Sequence, residues 1–245
     1  MEPILYNAMN GSQTDFNRQA ISANNLANSG TVGFKSELFQ AQSMYLTGSV
    51  ATAEALVGEQ IHGVDFTDGP LMTTGRDLDL AVQGDGWFAV QDSQGKEAYT
   101  RAGDLHVDEN GMLMTASKHP VLGDGGPISI PPAQRIEIGS DGTISIVPLG
   151  AEPNELAVLD RLKLVKVTNK DLIKNNEGLM KLKGGGVALA DASVVLVKGA
   201  LEGSNVNPVA NMVELINTGK EFEAQMKVMQ TVDENSQKLA QLLQV

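Results

Sequence analysis

Cysteine is absent from the 245 residues, which removes disulfide frameworks, zinc ribbons, iron–sulfur clusters and thiol nucleophiles together. Aromatic residues are scarce as well. One Trp, three Tyr and six Phe leave little with which to line a pocket for a soluble ligand. Positive charge is also short, with 18 Lys plus Arg against 30 Asp plus Glu and a formal net charge of -12. Such a balance repels phosphates and anionic lipid surfaces, so no nucleic-acid partner is expected. No run approaches the roughly 18 apolar residues of a membrane span, and no membrane insertion is expected. Met1 to Arg18 contain no basic stretch followed by an apolar one, so the expectation is that no leader is cleaved. What remains is a chain of 42% hydrophobic and 20% charged residues, proportions that suit a folded globular protein.

The two ends read as helices. Between Pro3 and Asn28, Ile4, Leu5, Ala8, Met9, Phe16, Ala20, Ile21, Ala23 and Ala27 approximate an apolar helical stripe, weakened near Gly11. Asn28-Ser29-Gly30 is expected to stop it, with Gly30 in the left-handed conformation. From Asn207 to Val245 the pattern is cleaner: Val209, Met212, Val213, Ile216, Phe222, Met226, Met229, Val232, Leu239, Leu242 and Leu243 recur at steps of three and four. Asn207 is the expected N-cap and Pro208 the first helical residue, where its missing N–H is no loss. A helix this long covers its stripe only against another long helix, from the same chain or from neighbouring subunits, and a mixture of the two is expected.

The middle is punctuated by glycine, with 14 of the 26 glycines between Gly63 and Gly150. Strands joined by turns are expected at Leu78–Val82, Trp87–Gln91, Leu105–Val107, Met112–Thr115, Ile128–Ile130, Ile136–Ile138 and Thr143–Val147. Hairpin loops are expected at 92–95, 108–111 and 140–142. A second β-rich stretch covers Leu162–Val167 and Val194–Lys198, with Gly184-Gly185-Gly186 as a turn, while Thr47 to Ala55 reads as a connector. The fold class is therefore α+β: long N- and C-terminal helices packing as a coiled-coil-like pair, with a central, mostly antiparallel β domain. The expected divisions are 1–45, 46–200 and 201–245.

The motifs of familiar chemistry fail in context. Gly84-Asp85-Gly86-Trp87-Phe88-Ala89 matches a dinucleotide-binding pattern, but an apolar strand follows where a helix must open to hold pyrophosphate. Asp108-Glu109-Asn110-Gly111 lacks the partner carboxylates of a calcium loop. His62, His106 and His119 are too scattered for a local metal pair, so neither metal nor cofactor is expected. Asp77, Asp79 and Asp85 cluster in sequence and keep a glycan-cleaving carboxylate pair as an alternative, although Asp beside Gly is ordinary turn chemistry. An adhesive β domain with helical anchors is a third reading.

Larger blocks carry more information. Ala23-Asn24-Asn25-Leu26-Ala27-Asn28 followed by Thr31, Gly33, Phe34 and Lys35 resembles the N-terminal signature of bacterial flagellar rod and hook proteins. Leu201-Glu202-Gly203-Ser204-Asn205-Val206-Asn207, Met212-Val213-Glu214-Leu215-Ile216 and Phe222-Glu223 are similar to that family's C-terminal signature. Asp79-Leu80-Ala81-Val82, Gly84-Asp85-Gly86-Trp87-Phe88, Tyr99-Thr100-Arg101, Gly103 and Pro120-Val121-Leu122-Gly123 resemble its β-domain blocks. Ala8-Met9 and Gly126-Pro127-Ile128 with Pro131 look most like the proximal rod branch, with the distal rod branch next. Two departures stand out: Lys118-His119 replaces an expected glycine before Pro120, and Thr218-Gly219-Lys220 replaces an Arg-containing helical stretch. Gly219 in mid-helix costs about 1 kcal/mol.

The resemblance implies a structural, non-enzymatic subunit of the flagellar rod, exported through the flagellum's own type III apparatus and assembled helically in the periplasm. Its partners are copies of itself, neighbouring axial proteins and the export apparatus. The terminal helices would line the central channel with the β domain outside. They are expected to order only on assembly. The implied assembly interface comprises Phe16, Ile21, Asn24, Asn25, Leu26, Asn28, Gly33, Phe34, Asn205, Val206, Asn207, Met212, Val213, Ile216, Phe222, Met226, Met229, Leu239 and Leu242.

Overall fold

The computed structural model describes residues 2–46, 54–150 and 156–242. The chain forms two compact units, one made of Met1–Ser29, Ser36–Asp65 and Val206–Val245, the other of Gly30–Lys35 and Phe66–Asn205.

The first unit is helical with one β-hairpin. It contains α1 (Glu2–Ala27), β1 (Glu37–Leu46), β2 (Glu54–Val64) and α2 (Pro208–Leu242). The helices run antiparallel, with Gly11 against Gln225 and Arg18 reaching Glu214 and Glu221. At 35 residues, α2 is about 50 Å long. It begins as the sequence predicts: Asn207 Oδ1 accepts hydrogen bonds from the backbone N–H groups of Val209 and Ala210, both at 3.1 Å, and Pro208 follows the cap. The helix runs through Gly219 without interruption.

The end of α1 differs from expectation. Gly30 does not take the left-handed conformation; Gly33 does, at φ 66°. The last carbonyls find other donors, Ser29 Oγ on Leu26 O at 2.8 Å and Asn28 Nδ2 on Asn24 O at 2.9 Å, so no glycine is needed at that end. The expected connector also changes character. Of Thr47 to Ala55, residues 54 and 55 open β2, while 47–53 lie outside the described residues. The β1–β2 hairpin lies outside the expected strands: Glu37–Leu46 has no β-branched residue and its register shifts between Ala41 and Ser43.

The second unit is built of short strands. In chain order these are β3 (Leu71–Thr73), β4 (Leu80–Gln83), β5 (Trp87–Gln91), β6 (Glu97–Thr100), β7 (Leu105–Val107), β8 (Leu113–Thr115), β9 (Leu122–Gly123), β10 (Gly126–Pro127) and β11 (Ala133–Ile138). There follow β12 (Thr143–Pro148), β13 (Ala157–Arg161), β14 (Leu164–Val165), β15 (Leu172–Lys174), β16 (Met180–Leu182), β17 (Val195–Lys198) and β18 (Ala200–Glu202). Five strands form the sheet β14-β5-β6-β16-β15, three form β11-β12-β13, and the rest pair two by two. Every pairing of named strands is antiparallel.

Phe88, Val90, Leu80, Leu105, Leu113, Ile138, Ile144 and Leu162 pack into one buried apolar core. Trp87–Gln91 and Leu105–Val107 are strands over the expected residues. Ile128–Ile130 is not a strand; the Ile128 and Ile130 side chains are buried, but its only ladder contact is the isolated bridge from the exposed Ser129 to Met112. The expected loops are tight turns in which an aspartate caps the backbone ahead of it: Asp92 for Gln94 and Lys96, Asp108 for Asn110 and Met112, Asp141 for Thr143. These bonds hold the Asp108 and Asp141 carboxyls below their ordinary range.

Candidate assembly interface

The two helices meet along a seam of unusual composition. On α1, Ala8, Ser12, Asp15 and Ser22 follow each other at heptad spacing with half-buried Gln19 and Leu26, and Ile21 and Asn25 are buried beside them. On α2, Asn211, Leu215, Thr218, Phe222, Gln225, Met229, Val232 and Ser236 keep the same three–four rhythm, with Thr218 wholly buried and the others half-buried. The geometry is coiled-coil-like, yet half of the seam is polar. Its hydroxyls turn back onto their own helices, Ser12 to Ala8 O, Thr218 to Glu214 O and Ser236 to Val232 O.

One charged group crosses the seam. Arg18 donates to Glu214 at 2.5 Å and to Glu221 at 2.8 Å, while the Asp15 carboxylate lies 3.7 Å away. Burial, with Glu221 adding to it, raises the pKa of Asp15 above the ordinary carboxylate value. This contact brackets Thr218-Gly219-Lys220, so the charge comes from α1 at the turn where the sequence lacks an arginine.

The outer faces carry what the seam lacks. Phe16 is 57% exposed and Ile216 56%, and Met9, Val209, Met212, Val213 and Met226 are exposed with them. The structure thus divides the expected interface residues. Phe222 and Met229 are half-buried along the seam and Ile21 is buried beside it, whereas Phe16, Met212, Val213, Ile216 and Met226 are exposed. The side chains of Leu239 and Leu242 lie outside the described residues.

The asparagines serve local bonds. Asn25 is buried and clamps the Glu37 backbone from both sides, its Nδ2 donating to Glu37 O at 2.9 Å and its Oδ1 accepting from Glu37 N at 2.8 Å. Asn24 accepts from Asn28 Nδ2. Asn205 Nδ2 donates to Thr67 O at 3.1 Å, its N–H reaches Phe34 O at 3.3 Å, and Val206 beside it is buried. Phe34 is half-buried beneath Lys174, whose Nζ stands 3.8 Å from the ring centroid.

Sequence reasoning missed a buried charge cluster in the β-rich unit. Glu202 is 2% exposed and accepts from Lys35 Nζ at 2.7 Å, from Arg101 Nη1 at 3.1 Å and from Gly69 N at 3.2 Å. Asp68 adds a second carboxylate 3.4 Å from Lys35 and 3.6 Å from Arg101, giving two cations for two anions. The guanidinium of Arg101 also covers Trp87, 5.1 Å from the ring centroid, with Phe66 edge-on to the same ring. Gly33 completes the arrangement: its N–H donates to Glu202 O at 2.8 Å, and a Cβ there would lie 2.3 Å from the Arg101–Ala102 backbone. The available signal was a lone charge in each of three otherwise apolar or glycine-rich blocks.

The carboxylates that kept an enzymatic alternative open do not converge. Asp77 is exposed, the Asp85 side chain is 81% exposed, and Asp79 turns inward. Gly84-Asp85-Gly86 is the turn between β4 and β5, followed by a strand. Among the described residues no helix is long and apolar enough to cross a membrane.

Three family models match the chain: Flagella basal body rod protein over residues 5–35, Flagellar hook protein FlgE/F/G D1 domain over 81–146, and Flagellar basal body rod FlgEFG protein C-terminal over 197–242. Each matched stretch supplies one member of the charge cluster, Lys35, Arg101 and Glu202 in turn. The chain is 41% identical over 249 residues to the flagellar basal-body rod protein FlgF of Salmonella typhimurium, covering 99% of both chains, and equally similar to its Escherichia coli counterpart. It is 32% identical to the rod protein FlgG of Bacillus subtilis, over 97% of this chain and 98% of the other. The paired terminal helices, the antiparallel β unit between them and these full-length similarities place the chain in the flagellar basal-body rod protein family, a family of structural proteins and not of enzymes.

Proposed function

We propose that this chain is a subunit of the proximal part of the flagellar rod, assembled with copies of itself and with neighbouring rod proteins into the shaft that transmits torque around the export channel. The observation that carries this reading is the apolar stripe Met9, Phe16, Val209, Met212, Val213 and Ile216, which stays exposed although both helices have already found each other. Exposed large apolar side chains recurring along both helices mark a surface that acquires its cover from another chain. Contacts of one surface with a different surface of the next subunit propagate as an open helix when the rotation does not close, which is how a rod grows.

In this reading the terminal segments 1–45 and 201–245 act together as the inner helical domain and 46–200 as the outer β domain. The hairpin 37–64 is assigned to the helical side, with which it forms one compact unit. Passage through the flagellar type III apparatus and a periplasmic location belong to the same proposal. The proximal position rests on the higher identity to relatives named FlgF than to the FlgG of Bacillus subtilis.

The test is quantification of the chain in detergent-washed hook–basal bodies from cells carrying wild type, Phe16→Asp or Ile216→Asp. Wild type is expected in several copies per basal body. The variants are expected to fold, to show an unchanged β-unit unfolding transition and to be missing from the rod. Normal incorporation of both variants would refute the interface, and absence of wild type from complete basal bodies would refute the rod assignment.

A further inference from the structure

Asp79 and Asp104 face each other across an isolated antiparallel bridge in the β-rich unit. The flanking hydrogen bonds, Leu80 N to Gly103 O at 2.9 Å and Leu105 N to Leu78 O at 3.2 Å, make this the non-hydrogen-bonded type of pair, in which opposed side chains leave the same face and come closest. Their Cβ atoms are therefore about 5 Å apart, a position where two like charges oppose folding.

The surroundings relieve that opposition only in part. Asp79 is 4% exposed, and its Oδ2 accepts from Thr74 Oγ1 at 2.7 Å. Oδ1 of Asp79 and Oδ1 of Asp104 are both buried and both without a hydrogen bond. Arg76, half-exposed, comes within 3.5 Å of Asp79 Oδ1 and is the one cation placed against the pair. Of the remaining charged groups on the elements packed here, Lys198 on β17 and Lys118 in the turn after β8 are exposed, while His106, two residues along and therefore on the same face of the chain as Asp104, is half-buried and paired with Met114.

Buried carboxylate oxygens left without a hydrogen bond are costly in low dielectric, and a single proton between two facing carboxyls satisfies both at once. We propose that Asp79 and Asp104 hold one proton between them, Asp104 donating its carboxyl O–H to Oδ1 of Asp79, so that this bridge is a proton-binding site inside the β unit. The balance is simple: the proton enters from solvent when the strands pair and returns to solvent when they part. Burial raises the pKa of Asp104 above its ordinary value and the Asp79 charge adds to it, against the backbone N–H groups of Asp104 and Ala116 and the Arg76 charge, which pull it down; the net direction agrees with this assignment.

The sign follows. A carboxyl whose folded value is raised contributes stability that is fully present below its unfolded value, near 3.9, and is lost as pH rises through the folded value. The β unit should loosen as pH rises from below the ordinary carboxylate range through the raised folded value.

The test is a 13C-carboxyl NMR titration of the full-length chain labelled at aspartate, together with urea unfolding of wild type, Asp104→Asn and Asp85→Asn. An Asn amide supplies a permanent donor in place of the proton. The expected result is one upward-shifted titration in wild type that is missing in Asp104→Asn, and an unfolding midpoint that falls with pH more steeply in wild type than in that variant. Asp85→Asn, an exposed acid, should retain the wild-type profile. The proposal is overturned if every aspartate titrates at or below its ordinary value. It is equally overturned if adding calcium or a chelator moves the shifted signal, because a cation would then occupy the place of the proton. The NMR titration needs only wild-type protein and decides the matter even if Asp104→Asn fails to fold.

Discussion

The two units differ in what they bury: the β-rich unit has an apolar core, and the helical unit a seam that is half polar. In the β-rich unit Leu80, Phe88, Leu105, Leu113 and Ile144 are inside, together with a cluster of two cations and two anions, and the apolar side chains left outside, Leu149, Val158, Val187 and Leu189 among them, lie on its loops and strand edges. In the helical unit Ser12, Asp15, Ser22, Asn25 and Thr218 are inside, while Phe16, Met212, Val213 and Ile216 are outside. The first pattern is that of a body stable alone, since burial of apolar area is the dominant favourable term in folding. The second leaves much of its potential stabilisation unrealised until another chain covers the stripe. Structural specialisation thus shows as a difference in where each unit keeps its hydrophobic surface.

The most severe way to break this comparison is to attack the paired charges of the β unit. Glu202→Ala leaves Lys35 and Arg101 buried without their shared acceptor and should cost about 3–5 kcal/mol, read as an earlier urea transition. A helical unit that unfolds on its own would show unchanged amide exchange in α2 when measured segment by segment.

A smaller effect sharpens the comparison in the other direction. Lys118 takes φ 64° in the turn before Pro120, the only non-glycine among the described residues to do so. Lys118→Gly should therefore stabilise the β unit by about 1 kcal/mol, seen as a higher melting temperature. No gain there would mean that the lysine side chain compensates for its backbone.

The smallest expected effect concerns the helical seam. Because the folded value of Asp15 is raised, its contribution to the helix pair is full below its unfolded value and is lost as pH rises through the folded one. Asp15→Asn should flatten that dependence, and the protection of α2 amides, measured as pH rises from the ordinary carboxylate range, should change less in the variant than in wild type. An identical pH response in both would locate the sensitivity elsewhere.

The same contrast explains what was legible in the sequence. Strand β5 is Trp87–Gln91, a buried apolar run between turns, and α2 is announced by Asn207-Pro208, so local chemistry sufficed for both. Burial on the wrong side of an expectation was harder. The stripe Met212, Val213, Ile216 was evident as a stripe, but the periodicity of α2 holds two faces, and only its packing on α1 tells which one is covered. Short strands such as β3, β6 and β18 lack the length for a period-two pattern to register. The cluster of Lys35, Arg101 and Glu202 was invisible because each residue sits alone in its own block, separated by 101 positions in one pair and 167 in another. The Asp79–Asp104 bridge hid for a related reason: Asp79 invited comparison with its sequence neighbours Asp77 and Asp85, while its partner lies on another strand.

The pairing of α1 with α2 also sets an order of events. Arg18 and Glu214 are 196 residues apart, whereas most of the β unit is drawn from the uninterrupted stretch Phe66–Asn205. Contacts between distant positions are entered late, after the entropy of closing the intervening loop has been offset by structure formed within it. A chain emerging from its N-terminus therefore holds α1 without its mate while the β unit condenses, and the helix pair closes only when the final segment arrives. The last residues delivered are the ones that complete the first.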